Sequence, residues 1–589
     1  MLKNKLHLVL IGALFLSLLN INQVEIFAQT EVNLIFDHFY DYQELTQVLK
    51  SLEKAYPHFV EVVSLGKTYF GRDIWGVILN NPKTGPAEHK PGFYIDGNIH
   101  GNEIQGTEVA LYTIDFLLKN YGANELATRL LDEKSFYFIP SMNPDARDYF
   151  INKATDPNRP RSGLIPYDDD KDGLKDEDGP EDLDGDGSIT QMRKKDPLGT
   201  HKPHPDDPRV LIPVKAGEKG EYRILGQEGI DNDGDGSINE DGPGGYDMNR
   251  NYGFNWQPDY VQRSSGPYPF CFPETKAVRD FLLAHSNIMG AQNFHNTGGM
   301  ILRGPGNKKV GTYHPADKKV YDYIGKKGEK ILPGYKYIVV HKDMYTVYGG
   351  SIDFLFNVLG IYTYSNELDR DYSGINSYDK EDLKNMERDE LYQMLSKRQA
   401  RSMEYHDHVL MGEQYTDWKP YKHPLYGDIE IGGLKKFSSR VPPFFKLPET
   451  CHRNAAFCLF HADQLPRLHF NRIDIHKKDK GIYQIDLTIE NSRVTPTISM
   501  MAVQKKLHRT DRLCFKGKNI RIITAGYLTD DFRNITQKIN QRDNDLWIAS
   551  GIPGFGYLKV RVILEGKGSC QLVYDSLKGG YYSREIRLE

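Results

Sequence analysis

The feature that most constrains the fold is a short apolar run leading through Asp96-Gly-Asn-Ile-His-Gly-Asn-Glu into a long helical pattern. Residues 93–95 read as a buried strand, and residues 103–121 carry apolar side chains at helical spacing. His100 therefore falls just past the carboxyl end of a strand, and Glu103 opens the helix that follows. This position is the crevice in which open α/β sheets carry their functional sites.

Helical and strand-like segments alternate over most of the first 410 residues. Residues 42–56 predict a helix, residues 59–65, 73–79 and 136–139 predict strands, and residues 379–411 predict a closing helix. This alternation predicts an α/β fold with a mixed central sheet flanked by helices. A chain of 589 residues is too long for one core, so we expect a domain over residues 31–415 and a second body after it.

The character of the sequence changes after Asp417, where helical periodicity fades. Short strand-like runs separated by Gly, Asn and Asp follow at residues 428–431, 482–489, 520–523, 557–564 and 571–574. These runs predict an all-β sandwich region over residues 416–589, made of one or two small modules. No motif in this region indicates chemistry.

The first 28 residues are typical of a signal peptide. Lys3 and Lys5 precede an apolar run at residues 8–19, and Ala28 offers a small residue for cleavage. An uncleaved anchor helix is the alternative. No later segment has the length of a membrane span, so we expect a mature protein that is secreted or periplasmic. A net charge of -5 without a basic stripe argues against a nucleic-acid partner, and nothing indicates the oligomeric state.

Residues 158–245 interrupt the α/β pattern with an acidic insertion that repeats the motif D-x-D-x-D-G three times. Alternate carboxylates followed by glycine form the first half of a calcium loop, although the glutamate expected at the twelfth position is missing from all three. We therefore predict structural Ca²⁺ here, with a solvated acidic loop as the alternative. The candidate calcium ligands are Asp168, Asp170, Asp172, Asp182, Asp184, Asp186, Asp231, Asp233 and Asp235.

A metal site is predicted by His100 and Glu103 together with His295, in the distant segment Gln292-Asn-Phe-His-Asn. Two imidazoles and one carboxylate are a natural ligand set for Zn²⁺. Three protein ligands leave the fourth position open, which is the catalytic rather than the structural arrangement.

These residues belong to an ordered set of motifs that closely resembles the zinc carboxypeptidase family, the carboxypeptidase A-like metallopeptidases, from about residue 40 to residue 411. The motifs are His100-Gly-Asn-Glu103, Asn143-Pro-Asp145 with Ala146 in place of the family's glycine, Asp247-Met-Asn249-Arg250-Asn251-Tyr252, Gln292-Asn-Phe-His295, residues 345–353, and Tyr364-Ser-Asn-Glu367-Leu. The resemblance implies a peptide or protein substrate with a free C-terminus.

Several catalytic roles follow from this resemblance. His100, Glu103 and His295 would hold Zn²⁺, and Asp247 would orient His100 through its second ring nitrogen. Glu367 would be the general base toward the zinc-activated water, and would then protonate the leaving amine.

The resemblance also implies a clamp for the substrate's terminal carboxylate, formed by Asn249, Arg250 and Tyr345. The planar guanidinium of arginine can make two parallel hydrogen bonds to one carboxylate. Ile352 falls where the family reads the terminal side chain, and its lack of charge weakly favours an apolar residue there.

An arginine that stabilises the oxyanion is also implied, but its position is ambiguous. Arg159 and Arg161 are both candidates, and we slightly favour Arg159. Arg193 is a more remote alternative.

Three functions remain open from the sequence. The leading hypothesis is an exported zinc metallocarboxypeptidase. The second hypothesis keeps the zinc hydrolase but assigns peptidoglycan stem peptides as its substrate. The third is a calcium-dependent binding protein with an inactive peptidase domain, which would require a broken ligand or base.

Overall fold

The computed structural model of the protein describes residues 32–169, 171–215, 217–368 and 386–589. The predicted signal peptide (residues 1–28) and Asp170 lie outside these ranges. Of the helix predicted over residues 379–411, the described part is a helix at Arg388–His408. No helix within the described ranges is long and apolar enough to cross a membrane.

An eight-stranded mixed sheet lies at the centre of the protein, as the α/β prediction required. Its strands are β1 (Val60–Lys67), β2 (Asp73–Leu79), β3 (Gly92–Gly97), β4 (Ser135–Ile139), β9 (Ile288–Asn296), β10 (Met300–Arg303), β11 (Lys336–Val339) and β12 (Tyr362–Leu368). They run in the order β1-β2-β4-β3-β9-β12-β10-β11. The inner strands β3, β4, β9 and β12 are parallel to their neighbours in that group and buried on both faces.

Helices cover both faces of this sheet. The helices of the described ranges are α1 (Tyr42–Ala55), α2 (Gln105–Lys119), α3 (Glu125–Glu133), α4 (Pro144–Asn152), α5 (Pro273–Ala284), α6 (Pro315–Ile331), α7 (Val340–Asp343), α8 (Ser351–Asn357), α9 (Arg388–His408), α10 (Leu447–Asp463) and α11 (Met500–Lys505). One core joins α1, α2, α3, α6 and α10 to Phe93 and Ile95 of β3. A second core joins α5 and α8 to Tyr94, on the opposite face of β3.

The register of the parallel strands brings distant parts of the chain to one edge of the sheet. Gly97 of β3 pairs with Phe294 of β9, and His295 of β9 pairs with Glu367 of β12. Because these strands are parallel, the segment after β3 and the ends of β9 and β12 meet at the same carboxyl edge.

The middle of the acidic insertion, residues 191–227, contributes strands to a second sheet, whereas the described parts of the acidic motifs on either side lie in loops. Its strands β5 (Gln191–Lys195), β6 (His201–Pro203), β7 (Leu211–Pro213) and β8 (Tyr222–Gln227) join the hairpin of β13 (Tyr415–His423) and β14 (Gly427–Leu434). The order is β13-β14-β5-β8-β6-β7, so residues far apart in sequence complete this sheet.

A β-sandwich follows, formed by two five-stranded antiparallel sheets. Its strands are β15 (Leu468–Asp479), β16 (Ile482–Asn491), β17 (Asp511–Lys516), β18 (Ile520–Asp530), β19 (Ile535–Lys538), β20 (Asn540–Arg542), β21 (Asp545–Ile548), β22 (Gly556–Gly566), β23 (Gly568–Ser576) and β24 (Gly580–Leu588). The sheets run β15-β16-β22-β18-β19 and β20-β21-β17-β23-β24. One apolar core unites side chains from both sheets.

The structure differs from the prediction of an all-β region starting at residue 416. The hairpin β13–β14 belongs to the sheet of the insertion, and α10 packs against α2 and α6 of the central body. The apolar pattern of the sequence did not predict helix α10, because this helix is buried around most of its circumference. Such a helix shows no clear apolar stripe.

Candidate metal centre and substrate cleft

The three predicted metal ligands converge at the carboxyl edge of the central sheet. His100 lies in the turn after β3, where the side-chain amide of Asn98 donates to the carbonyl oxygens of His100 and Gly101. Glu103 lies just before α2, and His295 is the penultimate residue of strand β9. All three side chains are buried.

The donor atoms have the spacing that a small cation requires. Glu103 Oε2 lies 2.9 Å from His100 Nδ1 and 2.9 Å from His295 Nδ1, and the two Nδ1 atoms are 3.2 Å apart. Tetrahedral Zn²⁺ with bonds of about 2.0–2.1 Å places its ligand atoms roughly 3.3 Å apart. The residues therefore fit zinc, with nitrogen and oxygen donors facing one point.

Asp247 lies behind His100, at the start of a short 3₁₀ turn at Met248–Arg250. Its Oδ1 is 3.1 Å from His100 Nε2 and also accepts from the backbone N–H of Asn249 at 2.9 Å. Burial acts to raise the pKa of Asp247, but Arg250, Arg161 and His100 together hold it well below its usual value. The ionised carboxylate can thus fix the imidazole with Nδ1 turned toward the other two ligands.

The three candidate arginines lie in different places. Arg161 lines the cleft beside the metal cluster and donates to Asp247 Oδ2 at 2.5 Å. Arg159 lines a neighbouring cavity with Arg263 and Gly242. Arg193 pairs with Glu430 and stacks on the rings of Tyr222 and Trp418, within the sheet of the insertion. Of the three arginines, Arg161 alone lines the cleft.

Glu367 lies near the end of β12, paired with His295 of β9, and lines the same cleft. Burial and the negative charge of Glu103 raise the pKa of Glu367 to about 7, although His295, Arg161 and Arg440 oppose this shift. A carboxylate whose pKa lies near neutrality can both accept and return a proton.

The predicted carboxylate clamp lines the outer part of the cleft. Arg250 is largely buried, and one of its guanidinium nitrogens donates to the carbonyl oxygen of Asn249 at 2.9 Å. The side chain of Asn249 accepts from the backbone N–H of Ser351 at 2.9 Å. Tyr345 is half exposed at the mouth of the cleft.

An apolar pocket adjoins these residues, in a cleft of about 500 Å³ that opens to solvent. Ile352 lines it together with Leu302, Val340 and Val347. Among the residues that the structure describes, Glu367 is the one acidic side chain that lines the cleft. The described lining of the apolar pocket therefore offers no negative partner for a basic side chain.

Within the described ranges, the acidic insertion gathers its carboxylates into four groups. These groups are Asp172–Glu177–Asp233, Asp178–Asp233–Glu240, Asp182–Asp184–Glu228 and Asp231–Asp233–Asp235. Asp168 and Asp186 belong to none of these groups. Asp168 accepts from the backbone of Lys171, and Asp186 accepts from the hydroxyl of Thr416. Four members of these groups, Glu177, Asp178, Glu228 and Glu240, lie outside the D-x-D-x-D-G repeats and so were not among the candidate ligands.

The first and third acidic loops are joined as a reciprocal pair. Asp241 accepts from the backbone N–H groups of Asp169 and Asp176. Asp178 accepts from the backbone N–H of Asn239 and from the side-chain amide of Asn232. Each loop is therefore closed by a carboxylate of the other.

Arg440 is a neighbour of the metal cluster that the sequence did not reveal. Its guanidinium lies 3.8 Å from Glu103 Oε1. The residue sits between β14 and α10, in a stretch without a recognisable motif, so only the tertiary structure brings it to the site.

Comparison with known proteins agrees with this geometry. The zinc carboxypeptidase family matches residues 45–168 and 224–408, and a domain of unknown function matches residues 467–587. The chain therefore belongs to the zinc carboxypeptidase family.

Individual relatives match only short stretches of the chain. Carboxypeptidase D of Anas platyrhynchos is 35% identical over 107 residues, which is 18% of this chain and 8% of that protein. Carboxypeptidase M of Mus musculus is 34% identical over 113 residues, 18% of this chain and 25% of that protein. The crystal structure of thrombin activatable fibrinolysis inhibitor aligns with a TM-score of 0.42 at 16% identity, covering 73% of this chain and 74% of that one.

Proposed function

We propose that this protein is a zinc-dependent carboxypeptidase that hydrolyses the C-terminal peptide bond of peptides or proteins. The observation that carries the proposal is one cleft lined by two metal-ligand histidines, Glu367 and Arg250. The cluster, a candidate base and a candidate carboxylate clamp thus face the same space.

The residues divide the chemical work between them. A bound Zn²⁺ supplies Lewis acidity, which polarises a carbonyl oxygen and acidifies water. Glu367 accepts the proton of the attacking water and passes it to the leaving amine. Arg161 directs a positive charge toward the oxygen on which negative charge develops, and this electrostatic contribution is often large.

The clamp would restrict the reaction to chain ends. Arg250 supplies a forked donor, and Asn249 and Tyr345 add polar atoms on the same side of the cleft. A terminal carboxylate held there would leave room for one residue beyond the bond that is cut. The apolar pocket around Ile352 supports a preference for an apolar terminal side chain.

The proposal is tested with pairs of peptides that differ only in having a free or an amidated C-terminus. Mass spectrometry should show stepwise loss of single residues from the free peptide and little loss from its amide. Equal turnover of both forms would contradict the clamp. Faster turnover of muropeptides than of any linear peptide would favour peptidoglycan stem peptides as the substrate.

We further propose that the insertion binds structural Ca²⁺. Support comes from the paired loops and from buried carboxylate oxygens without a hydrogen-bond partner on Glu177, Asp184 and Glu240. Burial, together with neighbouring aspartates, raises the pKa of Glu177 and Glu240 to about 7. A divalent cation would remove this cost by neutralising the clustered charge.

The domain assignment and the location of the protein are also proposals. We infer an exported protein, secreted or periplasmic, that loses residues 1–28. We assign residues 31–415 to the catalytic domain and the β-sandwich to a non-catalytic module, with α10 and the β13–β14 hairpin packed on the catalytic body. N-terminal sequencing of the exported protein tests the cleavage position.

A further inference from the structure

We propose that Arg440 is a positioning residue for the metal centre, acting on Glu103 and on the chain segment that follows His295. This inference rests on the proposed zinc site. The zinc carboxypeptidase family matches residues 45–168 and 224–408. Arg440 lies outside these ranges, so a segment that the family does not match would help to position the metal ligands.

The contacts of Arg440 bind three separate segments together. One terminal nitrogen, Nη1, lies 3.8 Å from Glu103 Oε1 and donates to the carbonyl oxygen of Asn296 at 3.1 Å. Nε donates to the side-chain oxygen of Asn158 at 3.2 Å. In return, the side-chain amide of Asn296 donates to the carbonyl oxygen of Arg440 at 2.9 Å. Arg440 is thus held by reciprocal bonds to the residue directly after His295.

The two oxygens of Glu103 face different partners. Oε2 faces both imidazoles, whereas Oε1 faces the guanidinium of Arg440. The carboxylate is almost fully buried, so its orientation depends on the few charged groups around it. The positive charge of Arg440 therefore favours the orientation in which one carboxylate oxygen points toward the two histidines and the other toward Arg440.

Arg440 does not line the substrate cleft. Its effect on the reaction therefore passes through Glu103, the end of β9 and the positive charge that it places near Glu367, rather than through contact with a substrate. Replacing Arg440 should therefore weaken zinc binding and lower kcat, while KM stays close to the wild-type value.

The test replaces Arg440 by Met and by Lys, with Arg453→Gln as the matched control. Arg453 lies 13 positions further along the chain, is 42% exposed and pairs with Glu449 on α10, away from the cluster. The zinc dissociation constant is measured by competition with a fluorescent chelator. Loss of a partner of a metal ligand typically costs 10–100-fold. We expect at least a tenfold weaker zinc affinity for Arg440→Met, partial recovery for Arg440→Lys and no change for Arg453→Gln.

Two further readouts separate positioning from general stability. The visible spectrum of the cobalt-loaded protein should shift for Arg440→Met and not for the control. In zinc-saturated protein, kcat should fall with KM within twofold of wild type. Should Arg440→Met fail to fold, Arg440→Lys is measured by the same readouts. Zinc affinity and cobalt spectra that match wild type in a folded Arg440 variant would overturn the inference, whereas absence of zinc binding by wild type would refute the metal site itself.

Discussion

Arg161 donates to Asp247 at 2.5 Å, on the carboxylate oxygen opposite the one that faces His100. A single carboxylate therefore contacts both the candidate metal ligand His100 and the arginine that lines the cleft. Because Asp247 is buried and its pKa is held low, this link persists over the pH range in which the protein is expected to work.

This arrangement predicts unequal effects for the two neighbouring arginines. Arg161→Gln should lower kcat by about 10²–10³-fold, the usual loss when one oxyanion donor is removed. Arg159→Gln should change kcat less than threefold, because its side chain lines a different cavity. Steady-state kinetics on one free-acid peptide compares them. A larger loss of kcat in Arg159→Gln than in Arg161→Gln would assign the oxyanion role to Arg159.

Calcium should stabilise the insertion measurably. Binding at a hundred times the dissociation constant adds about 2.7 kcal/mol of stability, so EGTA should lower the melting temperature of the calcium-loaded protein by several degrees. Titration calorimetry of metal-stripped protein should show Ca²⁺ binding. No heat of binding, together with an unchanged melting temperature in EGTA, would contradict the proposal.

Asp233 is the best position at which to test Ca²⁺ binding by substitution, because it belongs to three of the four carboxylate groups of the insertion. Asp233→Asn should reduce the number of Ca²⁺ ions bound. Asp206→Asn, at an exposed carboxylate outside those groups, should leave the number unchanged.

His461 should make the protein sensitive to acid. It lies in α10 with its ring against Phe93 and Tyr364, and neither ring nitrogen has a hydrogen-bond partner among the residues that the structure describes. Burial lowers its pKa to about 3, against about 6.5 for an unfolded chain. A depressed histidine pKa contributes stability above pH 6.5, and this stability is lost progressively as pH falls toward 3.

Urea unfolding at pH 7 and at pH 4.5 measures this contribution. Wild type should lose about 2–3 kcal/mol more than His461→Leu between these two values, since two pH units of linkage correspond to roughly that amount. Equal losses in the two proteins would show that His461 is not responsible.

Much of the fold was accessible from the sequence because its signals are local. Alternating strands and helices predicted the central sheet, and the apolar runs in residues 482–489 and 557–564 fall within β16 and β22. The metal cluster could also be predicted, since His100 and Glu103 lie at a strand-to-helix junction and the motif around His295 supplied the third ligand.

Other features depend on tertiary contacts that no local pattern encodes. Short strands with little apolar periodicity gave no sign of the sheet in residues 191–227, which is completed by the β13–β14 hairpin. The proposal of Arg161 over Arg159 rests on which of the two side chains lines the cleft, and the sequence does not give that. Arg440 reaches Glu103 across 337 positions of the chain, without a motif to mark it.

Glu367→Gln tests the central claim most directly, because it removes the proposed base while keeping the shape of the side chain. General acid–base catalysis contributes typically 10²–10⁴-fold, and Glu367 is not a member of the metal cluster. Wild-type kcat/KM should also fall in acid, because protonation removes the accepting form of Glu367. Burial and Glu103 raise the pKa of Glu367 to about 7, and the positive charge of a bound Zn²⁺ would lower it, so this fall should lie below pH 7 in the zinc-loaded enzyme.

The decisive measurement is the rate of release of the terminal residue from a free-acid peptide by zinc-loaded wild type and Glu367→Gln, with zinc content determined for both. We predict equal zinc content and a rate at least a hundredfold lower in Glu367→Gln. A Glu367→Gln protein with full zinc content and a rate within threefold of wild type would contradict the proposed mechanism.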